Sequence, residues 1–438
     1  MMFVWEEGLF TDVARTRLCN ISYSIKVMSS LRLPLPKPLF DTLENIRERL
    51  PVCVSEYLNA VNIAEASKEF ELTQEFLLSY SGSLDTYTAY RREVERILHW
   101  VWLVRRKSLK DLTRNDLRDY IEFSNSPPPT WIAEKTVSRF IDEGGVRCHN
   151  LAWRPYVVRI SKSQRYEGKL PDKRQYQLSS QSIQALFSTL STYFTYLQQE
   201  NYLEVNPISL IRQKKRYIQK QQTQRVTRKL SRIQWLCVIE TAESLADQLL
   251  ENERILFLMS AFYLLGLRIS EVSETLGRIP CMGDFAPDKY GLWWFTTVGK
   301  GNKVRDVAVP DAMLEALKRY RLSCGLSPLP VRGEQIPLLA KLRGRGGLGT
   351  RQIRNLVQKC FDQAVNRLRQ AGKEDEAQDL TTATVHWLRH TAISADVEER
   401  PIADVRDDVG HTSAATTDRY IDVDRIARHQ SAKRKKLR

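Results

Sequence analysis

Six histidines occur in the chain, and three of them, His386, His390 and His411, fall within one short stretch. His386, Arg389 and His390 stand at i, i+3 and i+4, so a helix presents all three on one face. Gly410 directly precedes His411, which suits a turn that exposes an imidazole, and Tyr420 follows in TTDRYIDV. With Arg268 and Lys300 these residues make a set of cations around a tyrosine. Such a set suits phosphoryl transfer without a metal. Two guanidiniums can fork onto the non-bridging oxygens of a phosphodiester and stabilise the charge that builds in a pentacoordinate transition state. A phenol with a free pKa of about 10 is a poor nucleophile and needs a nearby base or a strong cationic field. A lysine on a hairpin can protonate the departing sugar oxygen. Taken singly, each residue has a plainer role: an Arg after a buried helix can cap its C-terminus, and a helical Tyr packs.

Other chemistries fit less well. HWLRH places two histidines as in helical zinc proteases, but those need Glu after the first His, and here that position is Trp387, with Arg389 repelling a cation. GRGGLG at 344–349 matches GxGxxG formally, yet it follows Arg343, contains Arg345 and lies in no βαβ alternation, so it reads as a basic loop. The chain has no GxxxxGK[ST] phosphate loop. No metal and no cofactor is expected.

Several elements must position this set. ERILFLMSAFYLLGL reads as a buried helix leading to Arg268. GLWWFTTVGKGNKVRDVAV reads as two strands around a Gly-Lys-Gly-Asn turn that carries Lys300, with Lys303 on the far side. DAMLEALKRYRLS, TRQIRNLVQKCFDQAVNRLRQ and TTATVHWLRHTAISADV read as helices. The predicted domain, 230–438, is therefore mixed α/β with a small antiparallel sheet. Upstream, Leu84, Tyr87, Tyr90, Val94, Ile97, Leu98 and Val101 share one face at helical spacing. A second helix is expected over Asp111–Phe123 and a third over Ser179–Glu200, with an irregular insertion at 127–178. These make an all-α module over 81–210, and the fold class is mainly α. Residues 1–80 read as an appended, partly ordered extension in which Pro34, Pro36 and Pro38 oppose helix.

Charge points to the partner. The chain carries 67 Lys and Arg against 52 Asp and Glu, a formal net charge of +15, while residues 1–80 hold 11 acids and 8 bases. The excess therefore lies downstream and asks for a polyanion. It is densest in a linker, 211–229, where Lys214, Lys215, Arg216, Lys220, Arg225, Arg228 and Lys229 occur without an acid. Such a run repels itself unless a phosphate backbone lies against it. The tail after Asp424 adds seven bases and no acid. The 7 cysteines are odd in number and scattered, with no CxxC, which excludes a disulfide framework and fits a reducing cytoplasm. No apolar run approaches the roughly 20 residues of a membrane span, and the N-terminus does not read as a signal peptide.

LLGLRISE, VGKGNKVRDVAVP, HWLRHTA, VGH and DRYIDV, in this order, resemble the tyrosine recombinase (phage integrase) family. The helical module resembles that family's core-binding domain. The resemblance implies a site-specific DNA recombinase, of integrase or excisionase type on a mobile element, working in the cytoplasm in association with the nucleoid. It implies Arg268 as the first arginine, Glu271 as the acid that braces the site, and Lys300 as the general acid, with Lys303 the alternative. It implies His386 and Arg389 as the HxxR pair, His411 as the histidine on the scissile phosphate, and Tyr420 as the nucleophile; His390 would support from behind. The expected partner is double-stranded DNA, held by a homotetramer on two duplexes that is a monomer or dimer when free, with accessory proteins as further partners. Two other readings keep the fold: a non-catalytic DNA-binding accessory protein, and a relaxing enzyme like a type IB topoisomerase.

Overall fold

The computed structural model describes residues 33–47, 50–212, 216–217, 228–275, 277–299, 303–410 and 433. The chain divides into two compact units, one of residues 1–160 with 169–223 and one of residues 161–168 with 224–438.

The first unit is mainly helical. Its helices are α1 (Val52–Val61), α2 (Ala66–Leu78), α3 (Leu84–His99, continued by a π-helical stretch at Trp100–Arg105) and α4 (Arg114–Asn125), and a long helix spans Ser180–Gln199. Their starts follow the expected chemistry. The Ser83 and Ser179 hydroxyls accept from the backbone amides of Thr86 and Ser182, and Thr113 and Asp116 form a reciprocal capping box. The apolar faces of α3 and of Ser180–Gln199 enter one core with Trp100, Trp102 and Trp131.

Residues 33–80 are not an appendage to this unit, and periodicity placed its start too late. Leu39, Phe40, Ile46, Val54, Phe70 and Phe76 lie in the same core as α3 and α4. The Leu39 amide donates to the buried Glu95 carboxylate at 2.7 Å, and Arg147 forks onto Asp41 at 2.7 and 3.0 Å. The prolines do keep 33–41 out of helix, but an extended segment can still bury every second side chain. The insertion at 127–178 is likewise more ordered than expected. It holds a parallel pair of β1 (Ile132–Ala133) and β4 (Tyr156–Val157), and a hairpin of β2 (Phe140–Glu143) and β3 (Val146–His149). Gly144 and Gly145 turn that hairpin with φ of 58° and 81°, the left-handed pair that a two-residue turn requires. These short strands are additions to an otherwise helical unit.

One buried carboxylate organises the middle of this unit. Glu69, on α2, accepts from the Trp102 indole at 2.6 Å, from the Ser108 and Tyr202 hydroxyls at 2.8 Å, and from the Leu109 amide.

The second unit opens with the short helix α5 (Lys162–Tyr166), whose Lys162 ammonium donates to the Ala383 carbonyl. With the long helix of the first unit counted as α6, the rest runs through α7 (Arg232–Gln248), α8 (Glu253–Leu264), α9 (Ile269–Val272), the strands β5 (Phe285–Pro287), β6 (Trp293–Val298) and β7 (Val304–Ala308), and then α10 (Asp311–Ser323), α11 (Thr350–Gln370), α12 (Glu374–Thr382), α13 (Val385–Glu399) and α14 (Ile402–Val409). The strands form an antiparallel sheet in the order β5-β6-β7. Helix α8 is buried on all sides from Ile255 to Phe262, which is why its sequence is apolar around its whole circumference. The hairpin expected around Gly-Lys-Gly-Asn is present: Val298 pairs with Val304, and the Gly299 amide donates to the Lys303 carbonyl at 2.8 Å. Among the described residues, no helix is long and apolar enough to cross a membrane.

Replacing Glu69 by Ala strands the Trp102 indole and the Leu109 amide and leaves the Ser108 and Tyr202 hydroxyls only each other, at 3.3 Å. At roughly 1–3 kcal/mol for each unmet buried group, the variant should lose about 3 kcal/mol or more of stability, read as an earlier urea transition in tryptophan fluorescence. Wild-type behaviour would show that water replaces the carboxylate without cost.

Candidate active site

Four stretches of the second unit meet around one turn. Helix α8 ends at Leu264, and the chain reverses at Gly266, whose φ of 57° favours glycine. A Cβ there would meet Val409, Ala392 and Ile393 at ordinary contact, 3.5–3.8 Å, so the φ and not space is what calls for glycine. This reversal delivers Arg268 to the N-terminus of α9. Helix α13 supplies His386 and Arg389, the β6–β7 hairpin approaches from the sheet, and α14 ends at Gly410, left-handed at φ 63°.

The two arginines converge. Arg389 is 2% exposed. Its guanidinium donates to the Gly266 carbonyl and, at 2.7 Å, to the Val409 carbonyl. Arg268 donates to the next carbonyl along, Gly410, at 3.4 Å. Two guanidiniums thus grip consecutive carbonyls of the turn that leads into His411. Glu271, fully buried, accepts from the Arg268 amide at 2.7 Å and from its guanidinium at 3.0 Å.

A further cation, Arg305 on β7, is absent from the set read out of the sequence. It forks onto Glu271 at 2.6 and 2.9 Å and donates to the Asp408 carbonyl at 2.8 Å. Its signal was its place in VGKGNKVRDV, two residues past Lys303, but alternation alone does not say which strand face meets a carboxylate. Asp408 closes the same region by accepting from the Ala308 amide at 3.2 Å and from Arg400, which ties α14 to β7.

The charges act on one another. Burial alone would raise the Glu271 pKa, but the hydrogen bonds and charge of Arg305, the Arg268 amide and the charge of Arg389 together hold it below the usual carboxylate range. His386 lies on the exposed side of α13, yet loss of hydration around its ring lowers its pKa, and the positive charges of Arg389, Arg228 and Arg268 lower it further. Both effects favour the neutral imidazole, the form that can accept a proton. His390 packs its ring edge-on against His386, with centroids 4.3 Å apart. Asp396, further along α13, is pushed up to about 6, first by burial and also by the charge of Asp408, against the pull of Arg400.

The structure thus brings together Arg268, Glu271, His386, Arg389 and His390. Lys303 is exposed at the foot of the hairpin. Lys300, His411 and Tyr420 lie outside the described residues, as do Lys214, Lys215, Lys220 and Arg225 of the basic linker. Of the remaining linker bases, Arg216 is exposed in the first unit. Arg228 is exposed near His386, and Lys229 is half-buried. The next residue, Leu230, is buried and donates its amide to the Thr391 hydroxyl at 2.9 Å, so the linker's exit is fixed to the helix that carries His386 and Arg389. Among the described residues, no group of three or more His, Cys, Asp or Glu side chains is placed to hold a metal ion.

Residues 239–425 match the model of the phage integrase family, a span that covers every site residue named above from Arg268 to Tyr420. This segment is similar to the tyrosine recombinase (phage integrase) family. Among curated relatives, a tyrosine recombinase of Pseudothermotoga lettingae is 30% identical over 156 residues, 36% of this chain and 48% of that protein, so the match spans about half of the relative's length. Tyrosine recombinase XerC of Thermodesulfovibrio yellowstonii is 26% identical over 262 residues, 56% of this chain and 72% of the relative. Among solved structures, the XerH site-specific recombinase bound to palindromic difH substrate, in a post-cleavage complex, superposes with a TM-score of 0.50 at 15% identity, covering 91% of this chain and 99% of that one. That likeness extends the shared fold to both units.

The lowered pKa of Glu271 fixes a pH dependence. The folded carboxylate holds its proton less tightly than the unfolded one, so its contribution is complete above the ordinary value of about 4.3. It is lost as pH falls through the lower folded value. Urea midpoints measured down through this window should fall in the wild type and fall less steeply in Glu271→Gln. Parallel slopes would mean that Glu271 is not ionised by virtue of its arginines.

Proposed function

We propose that this protein is a site-specific DNA recombinase that cuts and rejoins strands through a 3′-phosphotyrosyl intermediate, of integrase or excisionase type on a mobile element. The observation that carries the reading is the grip of Arg268 and Arg389 on the consecutive carbonyls of Val409 and Gly410, in a segment that matches the recombinase family. That arrangement sets two fixed cations beside the turn from which His411 and Tyr420 follow.

In this reading the Tyr420 oxygen attacks phosphorus and the bond from phosphorus to the 5′ oxygen breaks. The phenolic proton passes to a base, for which neutral His386 is suited, and Lys300 protonates the departing 5′ oxygen. Arg268 and Arg389 stabilise the charge on the non-bridging oxygens, and His411 contacts the same phosphate. The hydroxyl of a partner strand then attacks the phosphotyrosyl link, which has stored the bond energy, so the cycle needs neither nucleotide nor metal. The substrate is double-stranded DNA. The basic linker and tail lie against its backbone, where contacts position rather than specify. The working assembly is a homotetramer on two duplexes, formed from monomers or dimers, with accessory proteins setting direction, in the cytoplasm and on the nucleoid.

A nicked suicide duplex should trap a protein–DNA adduct that resists denaturation and is absent in Tyr420→Phe. A persistent adduct in that variant, or none in the parent, would refute the reading. Arg268→Ala and Arg389→Ala should each raise the cleavage barrier by about 2.7–4 kcal/mol, the worth of a lost oxyanion donor; near-normal single-turnover rates would remove them from that role. Cleavage should also survive EDTA, and a loss reversed by added zinc would restore a metal mechanism.

A further inference from the structure

The side chain of Arg305 lies between two glycines. A Cβ on Gly299 would stand 3.0 Å from the Arg305 Nη1 and 3.6 Å from the Glu271 carboxylate. A Cβ on Gly410 would stand 3.0–3.3 Å from Cδ, Nε and Nη1 of the same side chain. Gly299 is the residue before Lys300, and Gly410 is the residue before His411. One guanidinium therefore packs against the backbone that introduces each of these side chains. It also forks onto the carboxylate that orients Arg268 and bonds the Asp408 carbonyl.

We propose that Arg305 is a positioning residue of this active site, which holds Arg268 through Glu271 and sets Gly299 of the hairpin and the Asp408–Gly410 backbone in register with it. The inference rests on the recombinase reading for its catalytic consequence and on geometry alone for its linkage. Glu271 is 0% exposed and Arg305 11% exposed at their side chains, so the carboxylate is buried and the guanidinium mostly so. A buried carboxylate keeps its charge only while its cations stay in place. Only a planar fork can meet both carboxylate oxygens and still donate Nε elsewhere, which a lysine ammonium cannot do. Arg305 acts through Glu271 and the Asp408 carbonyl.

The test uses the full chain and a nicked duplex carrying the junction sequence recovered from the DNA that flanks the coding region. Arg305→Ala should bind this duplex with wild-type affinity and form the covalent adduct roughly 10–100-fold more slowly, the range seen when a group orienting a site residue is removed. Arg305→Lys should recover part of the rate. Without DNA, Arg305→Ala should unfold at a higher pH on acid titration, because Glu271 has lost its main cation, and Arg305→Ala should add no shift on a Glu271→Gln background. An adduct formed at the wild-type rate would overturn the proposal. So would an unmoved acid transition, or a proportional loss of affinity and rate with no recovery in Arg305→Lys. If the parent chain forms no adduct, the recombinase reading fails by itself. The acid titration then decides alone whether Arg305 governs Glu271, and additive shifts in the double variant would overturn it.

Discussion

A site meant to hold a phosphate needs cations that the protein itself does not neutralise, and burying such cations is costly. Here a single carboxylate meets that constraint. Glu271 receives Arg305 through both oxygens and Arg268 through amide and guanidinium. Arg389 is met instead by carbonyls of Gly266 and Val409. Carbonyl dipoles fix a guanidinium without cancelling its charge, and the charge of Arg389 still acts on Glu271. The lowered proton affinity of His386 comes first from loss of hydration and then from the positive charges of Arg389, Arg228 and Arg268.

The apolar frame makes this arrangement repeatable. Gly266 faces Ala392, Ile393 and Val409 with room for no more than a methyl group between them, so the end of α8, the middle of α13 and the end of α14 meet there. Close-packed contacts of this kind leave few alternative placements for the carbonyls that the arginines grip. Polar closure comes from the other side, where Asp408 joins the Ala308 amide and Arg400.

Several helices and the hairpin of the second unit were legible because their signals are local. An apolar run marks α8, amphipathic spacing marks α10 and α11, and Gly-Lys-Gly-Asn marks the turn between β6 and β7, whereas α7 was not foreseen. Arg268, Arg389 and His386 were legible because spacing placed them on recognisable elements. Arg305 was not, since its partner lies 34 positions away in sequence and a strand residue gives no sign of which carboxylate it meets. The start of the first unit was misjudged for a related reason. Leu39 and Phe40 sit in an extended, proline-bearing stretch without periodicity, and only the tertiary bonds to Glu95 and Arg139 reveal that it belongs to the core. The hairpin at 140–149 escaped because two short strands around a Gly-Gly turn carry little alternation.

Glu69 and Glu271 show how the same side chain, buried completely in both units, is put to opposite uses. Glu69 is surrounded by neutral donors, an indole, two hydroxyls and an amide. These offset only part of the desolvation cost, so burial wins and its pKa is raised. Glu271 is surrounded by guanidiniums, whose charge overcomes a comparable cost, and its pKa is lowered. Neutral donors give a fixed geometry with little dependence on charge, which suits a scaffold. Cationic partners give a geometry that exists only while the carboxylate is ionised, so the orientation of Arg268 is bound to the same charge balance that a phosphate would enter. A dianion-like transition state would add negative charge to a cluster whose buried acids, Glu271 and Asp408, are already met by arginines and an amide, and fixed cations are the groups that would receive it.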